Sequence, residues 1–401
     1  MRRGCVTNEV GLSARRGCRG SGVEHPLGKG EVESSNLSGS TIRTDMTDRP
    51  DIATLDVIAP NLKRRMSGVT STVARLVPVQ ARSISIAAAG PGLPDWVPTV
   101  TVGDVVRMPR AGPSGARVWH ARRNVEMIAG LALKQLLRKR LRLVFTSAAQ
   151  RRHSGLTKAL IRRMDAVVAT SAKAAAYLDR PAPVIRHGVD ADAFRPPADR
   201  DALRRRLGLP VDAVIAGCMG RIRHNKGTDL FVDAMLRLMP TRPALHAVVT
   251  GRAVEKDAGF VQGLRDRIGG AGLADRFHIP GEVAFDAVPD WFGTLDLYVA
   301  PQRWEGFGLT PLESMACGVP VVATTVGAFE ELVADGETGR LVAPGDLDAL
   351  AGCMMAMLDD AALRRAMGEA GRARVEASFR LEHEAAALVA VYRDLLTGSW
   401  S

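Results

Sequence analysis

The sequence predicts an α/β protein of two doubly wound parallel sheets facing a central cleft, and three observations carry this. Short runs rich in Val, Ile and Ala alternate with helical periods almost throughout, the pattern of parallel strands covered by helices on both faces. At 401 residues the chain exceeds one ordinary domain and suits two of roughly 150–200 residues each. The alternation breaks around residues 190–210, in Ala-Phe-Arg-Pro-Pro-Ala-Asp, where consecutive prolines deny a helix and stiffen the chain as a connector would.

In the first half the apolar runs predict strands at Leu55–Ala59, Ile84–Ala88, Val102–Arg107, Arg117–His120, Leu143–Thr146, Ala166–Ala169 and Val184–His187. Helical periods fall between them at Gly68–Val77, Val125–Lys139, Thr157–Met164 and Ala172–Leu178. After the connector, strands are expected at Ala213–Met219, Ala244–Thr250, Phe277–Pro280, Leu297–Ala300, Pro320–Ala323 and Gly339–Val342. Helices are expected at Gly227–Met239, Gly259–Gly269, Ala287–Thr294, Pro311–Ala316 and Phe329–Ala334, then Asp346–Leu358, Ala361–Ser378 and Glu382–Leu396. The domains are therefore drawn at 46–195 and 205–380, with 381–401 crossing back to the first. Open sheets of this kind bind ligands at the carboxyl ends of their strands.

Residues 1–45 are rich in Gly, Ser and charge, lack either period, and are expected to be a disordered extension. They begin Met-Arg-Arg, but no apolar stretch of about 7–15 residues follows, which argues against an export signal. No apolar run reaches the ~18 residues that span a bilayer. The cysteines Cys5, Cys18, Cys218, Cys317 and Cys353 are scattered without CxxC or metal-ligand spacing, which predicts no disulfide framework, no metal site and a cytoplasmic home. A net charge of +11 implies an acidic partner. Between Leu131 and Arg163 stand Lys134, Arg138, Lys139, Arg140, Arg142, Arg151, Arg152, Lys158, Arg162 and Arg163 without one acidic residue, interleaved at first with leucines. That stretch suits an anionic membrane surface or the solvated face of an ordinary domain. A nucleic-acid module would interleave aromatics, and here only Phe145 occurs.

The densest chemistry lies in Arg-Trp-Glu-Gly-Phe-Gly-Leu-Thr-Pro-Leu-Glu, residues 303–313. Thr310 reads as an N-cap and Pro311 as the first helical residue, so free amides face the Gly306–Gly308 turn, where a phosphate fits. Glu305 can accept hydrogen bonds from a polyhydroxylated partner. Glu313 either serves that site or closes a capping box with Thr310. Upstream, Gly220-Arg221-Ile-Arg-His-Asn-Lys226-Gly227 follows an apolar strand and opens a helix. It is no Walker A, but Arg221 and Lys226 could neutralise a diphosphate. In the first half, Asn61-Leu-Lys63-Arg64-Arg65-Met-Ser67-Gly68 leads from a strand into a helix capped by Ser67 or Gly68. His120, at a strand end, is expected to face the cleft and hydrogen-bond a sugar or shuttle a proton, or else to be structural. Asn124, after Arg122 and Arg123, reads as a helix cap or an acceptor contact. His187-Gly188-Val189-Asp190 closes another strand.

Together, Gly220-Arg-x4-Lys-Gly, Gly188-Val-Asp, Glu305-Gly-Phe-Gly-Leu-x-x-x-Glu313 and Ala316-Cys-Gly-Val-Pro-Val-Val-Ala323 resemble the GT-B glycosyltransferases of family 4 over about residues 52–395. Val57-Ile-Ala-Pro-Asn-Leu-Lys-Arg-Arg-Met-Ser-Gly-Val-Thr-Ser and Val118-Trp-His-Ala-Arg-Arg-Asn-Val-Glu-Met are similar to the lipopolysaccharide core mannosyltransferases of Gram-negative bacteria. The resemblance implies a retaining transfer of mannose from GDP-mannose to a lipid-linked inner-core acceptor, without cofactor or metal, at the cytoplasmic face of the inner membrane. A UDP-hexose donor acting on another lipid or glycan is the alternative. It implies Arg221 and Lys226 on the donor diphosphate, and Glu305 on the sugar with the amides of Phe307, Gly308 and Leu309 nearby. Glu313 is implied on the ribose, His120 near the sugar, and Ser67 and Gly68 closing over the phosphates. Lys63, Arg64, Arg122, Arg123 and Asn124 are expected to meet the acceptor. The family's usual double glycine in the first loop is here Lys-Arg-Arg-Met-Ser-Gly, so acceptor contacts carry over least. With Glu313 at the nucleoside, the two glutamates do not flank a scissile bond as a glycosidase pair would.

Overall fold

The computed structural model describes residues 49–64 and 68–400. The expected extension 1–45 and the donor-loop residue Ser67 lie outside the described residues.

The first half builds β1 (Val57–Pro60), α1 (Gly68–Gln80), β2 (Ile86–Ala89), β3 (Thr99–Val100), α2 (Val102–Arg107), β4 (Arg117–Ala121), α3 (Asn124–Gln135), β5 (Leu141–Ser147), α4 (Gly155–Ile161), β6 (Ala166–Ala169) and α5 (Ala172–Ala176). After α6 (Arg200–Arg206) the second half builds β7 (Val214–Met219), α7 (Thr228–Leu238), β8 (Leu245–Thr250), α8 (Ala258–Gly270), β9 (Phe277–Gly281), α9 (Val288–Gly293), β10 (Leu297–Ala300), α10 (Thr310–Ala316), β11 (Val321–Thr324), α11 (Phe329–Leu332) and β12 (Gly339–Val342). It closes with α12 (Leu347–Asp359), α13 (Ala361–Ser378) and α14 (Leu381–Thr397).

The strands form two six-stranded sheets, β3-β2-β1-β4-β5-β6 and β12-β11-β10-β7-β8-β9. All their named pairings are parallel, and counted from β9 the second sheet repeats the order of the first. The central strands are buried on both faces, which is why they read as continuous apolar runs. Register follows apolar pairs such as Val57 opposite Ile86 and Val118, and Val214 opposite Leu245.

Three expectations of the first half need correction. Val102–Arg107 is a helix, because Thr101 and Asp104 form a reciprocal capping box: the Asp104 amide donates to Thr101 Oγ1 at 3.1 Å and the Thr101 amide to Asp104 Oδ2 at 2.9 Å. The strand is the short Thr99–Val100 before it. Val184–His187 contributes a single bridge, Val184 to Ala169. The helix expected to reach Lys139 ends at Gln135, and Arg138 turns the chain with φ of 51°. The basic stretch 131–163 is therefore divided among α3, β5 and α4 and forms no single helix face.

The last helix crosses back. Val189 and Arg380 pair in parallel, with the Val189 amide donating to Phe379 O (2.8 Å) and the Leu381 amide to Val189 O (2.9 Å). A Cβ at Gly188 would lie 2.4 Å from Arg380 O, so only glycine lets the strands cross there. Leu381, Ala385, Leu388, Val389, Tyr392 and Leu395 of α14 share a core with α1 and the first sheet. Each buried Leu or Val contributes about 1.5–3 kcal/mol, which is ample to anchor the crossing. Val189, Ala191 and Phe194 belong to the core of the second sheet, so the change-over falls at Gly188 and not beyond residue 195. Arg372 on α13 fixes this connector by donating to the carbonyls of Ala191, Phe194 and Ala316 at 2.7–2.8 Å.

Candidate active site

Two loops at the carboxyl edge of the second sheet are held against each other. Gly227 has φ of 71°, and a Cβ there would stand 1.8 Å from Pro301 O. No other residue lets the Lys226 turn sit on the end of β10. Arg303 fastens the turn by forking onto Asp229 (2.8 Å to each oxygen) and donating to His224 O (2.7 Å), while its amide donates to Asn225 O (3.0 Å). Lys226 Nζ thereby meets the Glu305 carboxylate, 79 residues away in sequence. Both side chains are about one-fifth exposed, at 21% and 17%. Glu305 Oε1 also accepts from the Gly306 amide at 3.0 Å. Arg221 lies half-buried in the same loop as Lys226.

The glycine turn after Glu305 is equally constrained. Gly308 has φ of 88°, with the Phe329 ring 2.3 Å from where a Cβ would be. Phe307 is buried and its carbonyl accepts from the Ala328 amide at 3.0 Å. Its ring meets His187 edge-on at 4.8 Å, so this side chain packs beside the Gly188 crossing while its backbone belongs to the loop. Leu309 packs on the same core. His187 Nδ1 donates to Glu384 Oε1 (2.6 Å), and Oε2 accepts from the Gly188 amide (2.8 Å).

Helix α10 begins one residue earlier than expected. Leu309 occupies the N-cap position in helical conformation with no side-chain cap, so Thr310 is helical and not the cap. The capping-box reading of Glu313 therefore fails. Its carboxylate, 7% exposed, pairs instead with Arg75 Nη2 of α1 at 2.8 Å, across the cleft.

The first sheet treats its polar residues differently. His120 is wholly buried, with Nδ1 2.6 Å from the Tyr392 hydroxyl and Nε2 2.6 Å from Thr146 Oγ1. The expectation that it faces the cleft is corrected: the carboxyl-terminal helix covers it and both nitrogens are engaged. Burial, then the nearby Arg122 charge, holds its pKa well below the usual 6.5, so the ring is neutral. Arg123 donates to Asn61 Oδ1 (3.1 Å), Thr70 Oγ1 (3.0 Å) and Glu126 Oε1 (2.6 Å), locking the β1–α1 loop to α3. Asn124 is the first helical residue, not a cap, and donates to Thr157 Oγ1 at 2.8 Å. Arg122 keeps one nitrogen, Nη2, buried without a partner among the described residues. Lys63, Arg64 and Gly68 are exposed at the loop after β1.

The structure thus brings Lys226, Glu305 and the Gly306–Leu309 backbone together, with Arg221 in the same loop, buries His120, and engages the part-buried Arg123 and Asn124 in hydrogen bonds within the first half. Sequence reasoning missed Arg75, Arg303 and Tyr392. Arg75 interrupts the apolar face Ala74–Leu76–Val77 of α1, and that break was the available signal. Arg303 and Tyr392 carried none, since their partners are distant in sequence. Among the described residues no cluster of His, Cys, Asp and Glu could hold a metal ion.

Residues 199–374 match the family model described as glycosyl transferases group 1. The chain is 53% identical over 352 residues to the lipopolysaccharide core biosynthesis mannosyltransferase LpsB of Rhizobium meliloti, a match covering 86% of this chain and 99% of that protein. It is 48% identical, over 86% of this chain and 98% of the relative, to the lipopolysaccharide core biosynthesis mannosyltransferase LpcC of Rhizobium leguminosarum bv. viciae. Among solved structures, Anabaena HepE in complex with UDP superposes with a TM-score of 0.74 at 19% identity, over 85% of this chain and 100% of that one. That likeness concerns the fold, two facing parallel sheets of GT-B type. With these relatives matched almost end to end, the chain belongs to the group 1 glycosyltransferases and is an enzyme of that family.

Proposed function

We propose that this glycosyltransferase moves mannose from GDP-mannose to a lipopolysaccharide core acceptor, with retention of configuration and without a divalent metal. The observation that carries the reading is the Lys226–Glu305 pair, set by glycine-strapped loops at the carboxyl edge of a parallel sheet. The names of the two Rhizobium relatives support the sugar and the acceptor. On donor binding, Lys226 and Arg221 neutralise the diphosphate as its bond to the sugar breaks. Glu305, released from Lys226, receives the sugar hydroxyls. An acceptor hydroxyl attacks from the same face as the leaving group, its oxygen bonds to the anomeric carbon, and the departing phosphate takes its proton. Arg122, with its unpartnered nitrogen, and exposed Lys63 and Arg64 serve the acceptor side.

A thermal-shift screen across GDP- and UDP-sugars tests the donor, because a true donor stabilises the fold by mass action. Stabilisation by UDP-sugars alone removes the mannosyl reading. Turnover in EDTA and the anomeric configuration of the product test the remainder.

We further propose that the enzyme acts on the cytoplasmic side, peripheral to an anionic membrane. Among the described residues no helix is long and apolar enough to cross one. Support comes from an apolar groove of about 360 Å³ between α2 and α3, lined by Leu62, Val102, Val106, Leu133, Leu136 and Leu137 among others. Leu136 is 79% exposed, and exposed Lys63, Arg64, Arg107, Arg110, Arg138 and Arg140 lie on the segments that border the groove. Flotation with phosphatidylglycerol vesicles but not with phosphatidylcholine is the expected result, and Leu136→Asp with Leu137→Asp should abolish it. Equal flotation with both lipids overturns the electrostatic part.

A further inference from the structure

Arg75 sits on α1, between buried Ala74 and Leu76, yet reaches the opposite sheet. Its Nη2 lies 2.8 Å from Glu313 Oε1, and the two side chains are only 12% and 7% exposed. The guanidinium is flanked by two rings, Phe285 at 5.2 Å and Phe194 at 5.5 Å. Phe285 also contacts Trp96 of the first half, with ring centroids 6.4 Å apart. The remaining nitrogen, Nη1, is buried and has no hydrogen-bond partner among the described residues. A buried guanidinium N–H without an acceptor is costly and calls for one.

The geometry points to Arg75 as a donor-binding residue that completes the ribose site with Glu313, so that both halves of the molecule grip one nucleoside. This rests on the reading of Glu313 as the ribose contact. The chemistry of the pair narrows what fits. Arg75 binds one oxygen of the carboxylate, which leaves an N–H donor and a carboxylate acceptor side by side. A phosphate would satisfy the arginine but be repelled by Glu313. A carbonyl would use the donor and leave the acceptor unmatched. A neutral vicinal diol matches both, donating one O–H to the carboxylate and accepting the N–H on its oxygen. The 2′,3′-diol of a nucleotide sugar has that form. Because the two groups are carried by different sheets, the site exists only while the cleft is closed, and donor binding is thereby coupled to closure.

Calorimetric titration of GDP and 2′,3′-dideoxy-GDP into wild type, Arg75→Met and Glu313→Gln tests this, with the uridine pair used if the screen favours UDP-sugars. Wild type should prefer GDP by about tenfold or more. Arg75→Met keeps the stem between the phenylalanines. It should weaken GDP about tenfold, leave dideoxy-GDP unchanged, raise donor KM and spare kcat. If Arg75→Met weakens both nucleotides equally, the arginine only pairs the domains and the proposal falls. Tighter GDP binding also overturns it, since Arg75 would then compete with ribose. If Glu313→Gln abolishes the preference and Arg75→Met does not, the arginine's role alone fails. An intact preference in Glu313→Gln, or none in wild type, removes the ribose reading beneath it and the proposal with it. Should Arg75→Met melt too early to titrate, Arg75→Lys keeps the charge and loses the fork, and partial loss of the GDP preference is expected; an unchanged preference overturns the proposal.

Discussion

The two sheets share one strand order, yet their carboxyl edges use polar residues in opposite ways. On the second sheet, Gly227 presses its loop against the end of β10, Gly308 packs its turn on the Phe329 ring, and Lys226 and Glu305 stay partly open to solvent. On the first, His120 and Glu126 are wholly buried, and the part-buried Arg123 and Asn124 are tied by hydrogen bonds within the first half. A polar residue at a strand end is thus not by itself a site residue. What separates the two cases is how far another element covers them: α14 folds over His120 and leaves it wholly buried, while Lys226 and Glu305 keep about one-fifth of their side chains exposed. The first sheet's contribution comes from elsewhere, from Arg75 on a helix.

The largest effect expected of this contrast is in turnover. Lys226→Ala should lower kcat by about 10²–10³-fold, the scale for removing a preorganised charge from a transition state. Its melting temperature should stay near wild type, because the pair it breaks is partly solvated. Wild-type turnover in Lys226→Ala would end the assignment of this edge as catalytic. Gly227→Ala should act on the fold instead, costing about 3 kcal/mol or more through a backbone clash with Pro301 O added to a strained left-handed φ. Denaturant unfolding measures it, and a loss below about 1 kcal/mol would show that the loop yields.

His120 gives a pH signature for the covered edge. Its folded pKa is lowered from 6.5, so the unfolded chain binds the proton more readily. Stability from this group is complete above about pH 6.5 and is lost as pH falls from there towards the folded value. The melting temperature should therefore decline below pH 6.5, and less steeply in His120→Phe. Parallel pH profiles would place the ring in solvent after all. The smallest effect is Asn124→Ala, which should cost about 1 kcal/mol through its bond to Thr157 and leave acceptor KM unchanged. A several-fold rise in acceptor KM with unaltered stability would return Asn124 to the acceptor site.

The sequence by itself determined the strand-and-helix alternation, the two sheets, and the placing of Arg221, Lys226 and Glu305 on loops after strands. Those signals are local: apolar runs mark doubly buried parallel strands, and a glycine forced by φ marks a turn wherever its partner lies. It misjudged Val102–Arg107, where β-branched alternation outweighed a capping box four residues long. It also set Thr310 as a cap and His120 in the cleft. Only the tertiary structure decided these, because each depends on what a distant segment brings. Tyr392 reaches His120 from 272 residues away. Arg75 takes the Glu313 carboxylate that local spacing would have given to Thr310. Side-chain hydrogen bonds between remote elements leave no period in a sequence, so which polar groups face the ligand and which face the core is settled by packing alone.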